Sequence, residues 1–200
     1  SGSNIPGSME NKISSFKLKK GHMVTLAVEP DGTGLSKVYI ASESDLVVSQ
    51  LPPALNNSIS FIRVVPWIWV NKKGTGGAIS NIDASWYYTW GANHNSLADR
   101  EFAPMGWGKN SLTTKARIDA ILNKKNVTHF MSFNESDHCE GQSGQWGSLC
   151  VVDTAVVYHK NTMKTGLRIV SPSNREGKEL TWLKDMNNLA VPMGVRMDVI

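Results

Sequence analysis

Glu135 follows the run Phe130-Met131-Ser132-Phe133-Asn134 and precedes Ser136-Asp137, so an Asn-Glu pair stands just beyond an apolar, strand-forming stretch. A carboxyl group in such a place can protonate a leaving oxygen. Cleavage of a glycosidic bond needs that acid together with a second carboxylate acting as nucleophile or base. Asn134 can hydrogen-bond a sugar hydroxyl and orient a substrate. Taken alone, the dipeptide is better read as the cap of the next helical segment. Sugar chemistry also needs flat apolar surfaces, and the chain has seven Trp residues. Trp86, Tyr88 and Trp90 occupy alternate positions of Ser85-Trp86-Tyr87-Tyr88-Thr89-Trp90-Gly91. In a strand they share one face while Tyr87 points away. Trp107 closes a second such run. Each ring suits a sugar cleft or a core equally well.

Cys139 and Cys150 bracket a Gly-, Ser- and Gln-containing loop directly after the Asn-Glu pair. They can close that loop as a disulfide, contributing about 2–3 kcal/mol and implying an oxidising compartment, or remain two thiols. Zinc would need four ligands, and although His138 adjoins Cys139, no C-x-x-C pair completes a set. No metal and no cofactor are expected.

The elements that must position these residues fall into two kinds. Before residue 71 the chain alternates short β-prone runs with turns: residues 16–18, 23–28, 37–41, 46–48 and 59–65 read as five strands. Lys20-Gly21, Pro30-Asp31-Gly32-Thr33-Gly34 and Leu51-Pro52-Pro53 separate them. Asp31 is read as part of a chain-reversing turn rather than a calcium ligand. After Asn71-Lys72-Lys73-Gly74, apolar strands alternate with helical patterns, the mark of β/α units on a parallel sheet. Residues 84–90, 101–107, 127–133 and 167–170 are the strands, with 196–200 beginning a fifth. Helices are expected over 111–125, with Ser111 or Thr113 as cap, over 151–164, stopped by Gly166, and around Trp182, Leu183, Met186 and Leu189.

Four strand-end motifs occur in order: residues 85–91, 101–108, 133–137 and 165–172. Together they resemble the glycosyl hydrolase catalytic core related to glycoside hydrolase family 128, over roughly residues 72–200. The resemblance implies a (β/α)8 TIM barrel, incomplete here and ending near its sixth strand. It implies Glu135 as general acid/base of a retaining, endo-acting mechanism on a β-glucan-like polysaccharide. Asn134 would bind substrate, and Trp86, Tyr88, Trp90 and Trp107 would line the cleft. Two departures stand out. Ser136 replaces the Pro usual after Asn-Glu, which loosens the turn. The second carboxylate would lie on a later strand, beyond Ile200; Asp137 is too near in sequence, and Asp83 and Glu101 sit towards strand starts. This chain alone is therefore expected to be inactive, its barrel lacking a C-terminal part. A non-catalytic carbohydrate-binding protein is the alternative, and a docking role for the N-terminal strands a third.

The expected organisation is a tag remnant over 1–9, a small all-β domain over 10–71 and the partial barrel over 72–200. The layout of the β domain resembles a βγ-crystallin-like unit, through Phe16-x4-Gly21 and Asp31-Gly32-Thr33-Gly34-Leu35-Ser36. The net charge of +4 comes from dispersed pairs such as Lys72-Lys73 and Lys124-Lys125, so no nucleic-acid partner is expected. No apolar stretch is long enough for a membrane span. A polysaccharide or oligosaccharide is the expected partner, and a secreted or periplasmic setting the expected location.

Overall fold

In the computed structural model, residues 5–68 and 72–200 are described. Residues 1–4 of the expected tag remnant, and residues 69–71 at the expected domain boundary, lie outside them. The five N-terminal strands form where the β-prone runs stand: β1 (Phe16–Leu18), β2 (His22–Ala27), β3 (Ser36–Ala41), β4 (Leu46–Val48) and β5 (Phe61–Pro66). β1 pairs antiparallel with β4, and β2 pairs antiparallel with both β3 and β5. Asp31 closes the turn between β2 and β3 by accepting from the Thr33 amide at 3.0 Å and hydroxyl at 2.6 Å, and it pairs with Lys164 at 3.3 Å.

β2 is buried from Met23 to Ala27, so both faces of this central strand are covered. The period-2 alternation divides them. Val24 and Leu26 enter one core with Leu18, Leu51, Leu55 and Ile59. Met23, with Val65 of β5, enters another that holds Leu112, Ile121, Val127, Phe130, Val156, Met163 and Ile169. The N-terminal sheet and the following β/α region thus share a core across the expected boundary.

That region carries β6 (Gly74–Gly76), β7 (Trp86–Tyr88), β8 (Glu101–Phe102), β9 (His129–Met131) and β10 (Arg168–Val170). β6, β7 and β8 pair in parallel, as do β9 and β10. Parallel bridges join Met105 to Met131 and Val170 to Val199, which extends the order across the gaps. The strands lie side by side in sequence order, an open arc that does not close among the described residues. They are shorter than expected: 101–107 is ladder only over two residues because Pro104 has no N–H to give, although its carbonyl still accepts from the Met131 amide.

Three helices cover the arc: α1 (Lys115–Leu122), α2 (Val152–His159) and α3 (Lys184–Ala190). The cap of α1 is Thr114, whose side chain accepts from the Arg117 amide, and not Ser111 or Thr113. Ser111 instead accepts from the Gly108 amide within a 3-10 turn (Lys109–Leu112) that takes up the start of the expected helix. α2 runs into a 3-10 turn (Lys160–Thr165) ended by Gly166 in the left-handed region (φ 61°). A Cβ there would also press on Phe61 and Arg63 of β5. No described helix is long and apolar enough to cross a membrane.

Candidate active site

β9 delivers the Asn-Glu pair. Phe130, Ser132 and Phe133 are buried, which fixes the strand in the core and forces the next residues out at its C-terminal end. Ser132 Oγ bonds His159 Nδ1 at 2.8 Å, and His159 Nε2 bonds the Arg196 carbonyl at 3.0 Å. Burial holds the His159 imidazole down to about 4. Both ring nitrogens are thereby satisfied by a neutral ring.

Asn134 donates its amide to the Trp107 carbonyl at 3.1 Å and its side-chain Nδ2 to Gln142 Oε1 at 3.2 Å. Glu135 then turns through a left-handed backbone (φ 46°), uncommon for a residue with a Cβ. Its amide donates to Ser173 Oγ at 3.2 Å, and the same hydroxyl donates to the Phe133 carbonyl at 3.2 Å. The segment after β10 therefore splints the backbone under Glu135. Its half-buried carboxylate is hydrogen-bonded by no protein group among the described residues. Ser136, where a Pro would be usual, uses the N–H that Pro lacks to reach the Ser173 carbonyl at 3.4 Å, a contact that ties the turn down.

The other nearby carboxylates are engaged. Asp137, its side chain 1% exposed, accepts from the Arg175 amide and Nε, each at 3.0 Å. Glu101 is buried at the start of β8 and accepts from the Thr128 amide, the Thr128 hydroxyl and the His129 amide. Asp83 is exposed and pairs with Lys73.

Cys139 and Cys150 form a disulfide, with Cα atoms 5.1 Å apart. The loop that they close folds back on the Asn-Glu turn: the Ser143 amide donates to the Asn134 carbonyl at 3.2 Å. Gly144 is wedged in, since a Cβ would come within 2.4 Å of the Ser136 and His138 carbonyl oxygens.

Within β7 the aromatic residues separate by face as alternation requires, and Trp90 joins them from beyond the strand on a left-handed backbone (φ 53°). Tyr87 is buried and its hydroxyl donates to the Asn95 carbonyl at 2.6 Å. On the other side Trp86, Tyr88 and Trp90 form a ladder, with centroids 6.4 and 4.8 Å apart. Trp86 lies flat over Gly74 of β6, and its Nε1 donates to the Lys72 carbonyl. It pairs with Glu101, on the rung of Thr128, whereas Trp107 pairs with Asn134, six residues further along β9's chain (134 against 128). The structure thus brings Trp107, Asn134 and Glu135 together and leaves Trp86 towards the opposite end. Tyr88 lies between, and Trp90 is 51% exposed. Ser173, Arg175, Gln142 and Trp146 were not singled out from the sequence. The short Ser171-Pro172-Ser173-Asn174-Arg175 run just past β10 was the available signal for the first two.

No protein of curated function matches the chain. Among solved structures, it is similar to an endo-β-1,3-glucanase of glycoside hydrolase family 128, subgroup I, from Amycolatopsis mediterranei. One variant of that enzyme, in complex with laminaritriose and laminaribiose, matches at 28% identity and TM-score 0.52, over 64% of this chain and 54% of the other. A variant in complex with laminaripentaose matches at 27% identity and TM-score 0.52, over 64% and 55%. The chain spans about half the length of these structures. The family model described as glycosyl hydrolase catalytic core matches residues 58–200, and the chain belongs to that family.

Proposed function

We propose that the chain carries the general-acid half of a retaining, endo-acting β-1,3-glucan hydrolase, with Glu135 as general acid/base. The observation that carries this reading is the free carboxylate of Glu135 on a backbone fixed from two sides, by Ser173 and by the disulfide loop through Asn134. Asn134 would orient a sugar hydroxyl, and Trp107, Trp90 and Tyr88 would line a cleft along the strand ends, Trp107 nearest the acid. Trp86, at the start of β7 and packed over Gly74, would support Tyr88 from beneath. The laminari-oligosaccharides in the related structures support a β-1,3-linked substrate. The open arc of parallel strands would be part of a (β/α)8 barrel over residues 72–200. Residues 10–71, with their crystallin-like layout, would be a topological rather than an energetic unit, given the core that crosses the boundary. The disulfide supports a secreted or periplasmic setting.

Retention needs a second carboxylate about 5–5.5 Å from the first. Asp137 and Glu101 are both committed to protein donors, so this chain would bind glucan without cleaving it. A longer form that supplies the partner should hydrolyse soluble β-1,3-glucan. There Glu135→Gln should lower the release of reducing ends by about 10²–10⁴-fold while oligosaccharide binding persists. Full activity in that variant would sink the assignment. The same commitment of Asp137 and Glu101 favours a second reading, a carbohydrate-binding protein with no catalysis. Binding without hydrolysis in every longer form of the protein would establish it.

A further inference from the structure

Trp146 stands at the tip of the disulfide-closed loop, 59% exposed, and takes no part in the proposed cleft. The loop is a rigid mount. The Cys139–Cys150 bond closes its base, Gly144 is wedged against two carbonyl oxygens, and the Lys109 side chain lies against Gly147. The Trp146 amide donates to the Ser143 carbonyl, whose own amide is bonded to Asn134. One connected path therefore runs from the residue beside Glu135 to the indole. Two amide side chains flank it: Gln142 Oε1 takes the Asn134 Nδ2 hydrogen, and Gln145 Nε2 donates to the Gln142 carbonyl. The Gln142 NH2 group and the Gln145 carbonyl oxygen remain open for a ligand among the described residues.

We propose that Trp146, with Gln142 and Gln145, forms an outer platform for a sugar unit of the same glucan strand that reaches Glu135; this rests on the glucan reading of the site. An indole held out by a stiff loop offers a flat apolar face at little conformational cost. The neighbouring amides supply the donor and acceptor that a pair of ring hydroxyls requires. The platform lies beyond the Asn134–Glu135 turn, so it engages long oligosaccharides and not short ones.

The test titrates the 200-residue chain with laminaritriose and with laminarihexaose by calorimetry, in parallel with Trp146→Ala and Trp146→Phe. Trp146→Ala should weaken the hexasaccharide about ten-fold and leave the trisaccharide unchanged, while Trp146→Phe should recover most of the loss. The ring is exposed, so an unchanged melting temperature shows that the variants are folded. If the parent binds the hexasaccharide and Trp146→Ala binds it equally well, the platform is wrong and the glucan reading stands. If the parent binds neither sugar, the glucan reading falls and the platform with it. Loss of a dimer in Trp146→Ala with sugar binding intact would make the indole a self-association contact and overturn the proposal.

Discussion

The Arg63 guanidinium reaches out of β5 to the main-chain carbonyl of Leu122, at 3.1 Å, and to that of Thr165 as well. These carbonyls end α1 and the 3-10 turn after α2, where helical carbonyls have no partner of their own. One cation from the N-terminal sheet thus caps two helices of the β/α region, where the negative ends of the helix dipoles favour it. Burial pulls the Arg63 guanidinium down to about 10, so it stays charged at neutral pH.

Arg63→Ala should cost about 2–3 kcal/mol, because hydrogen bonds from a charged donor are lost and buried carbonyls are left unpaired. Urea melts should show one lowered midpoint rather than two separate transitions, since the shared core couples the sheet to the helices. Arg63→Lys should recover little, as a single ammonium cannot span both helix ends.

Opening the disulfide should act on the site as well as on stability. With the cysteines 11 positions apart in sequence, reduction or a Cys139→Ala/Cys150→Ala double variant should cost about 2–3 kcal/mol by the chain-entropy account. The freed loop also stops holding Asn134 through Gln142 and Ser143. On the proposed glucan reading, laminari-oligosaccharide affinity should therefore fall on adding reductant at a temperature where far-UV circular dichroism shows the chain still folded.

Asp137 and Arg175 should respond unequally to truncation. Asp137→Ala removes the acceptor for both the Arg175 amide and its Nε, releasing the loop after β10 that also carries Ser173. Arg175→Ala keeps the amide donor and loses a side chain that is 41% exposed, so solvent screens much of that loss. Thermal melts should place Asp137→Ala about 1–3 kcal/mol below the parent and Arg175→Ala less than half as far. Equal losses would show that the side-chain ion pair, and not the backbone clamp, holds the turn.

The five N-terminal strands and the turns between them were legible because β-branched runs and Gly- or Pro-containing turns are local signals. The same holds for the exit of Glu135 from β9 and for the shared facing of Trp86 and Tyr88, which alternation dictates. Trp90 instead stands beyond β7 on a left-handed backbone and reaches Tyr88 by a turn. The shared core was not legible. The alternation of Met23 against Val24 says that β2 has two apolar faces, but not that one of them meets Leu112 and Met163. Arg63 was equally opaque, since a cation in a strand reads as solvent-facing until the helix ends that it caps are in view. The clamp of Arg175 on Asp137, 38 residues apart, depends on β10 lying beside β9, a pairing that no local pattern encodes.

The buried His159 makes stability depend on pH in a defined window. Its ring nitrogens face the Ser132 hydroxyl and the Arg196 carbonyl, with the Arg196 guanidinium and the Asp198 carboxylate beyond. Burial lowers its pKa from 6.5 to about 4. Between those values the unfolded chain binds a proton that the folded chain refuses, so acid favours unfolding. The stabilisation is complete above pH 6.5, erodes as pH falls, and is gone below about pH 4. The shift corresponds to at most about 3 kcal/mol. His159→Gln, which cannot take up a proton, should remove this component: its urea midpoint should start lower at pH 7.5 yet fall less steeply between pH 6.5 and 4.5 than the parent's. Parallel slopes for the two proteins would show that His159 does not govern the acid limb.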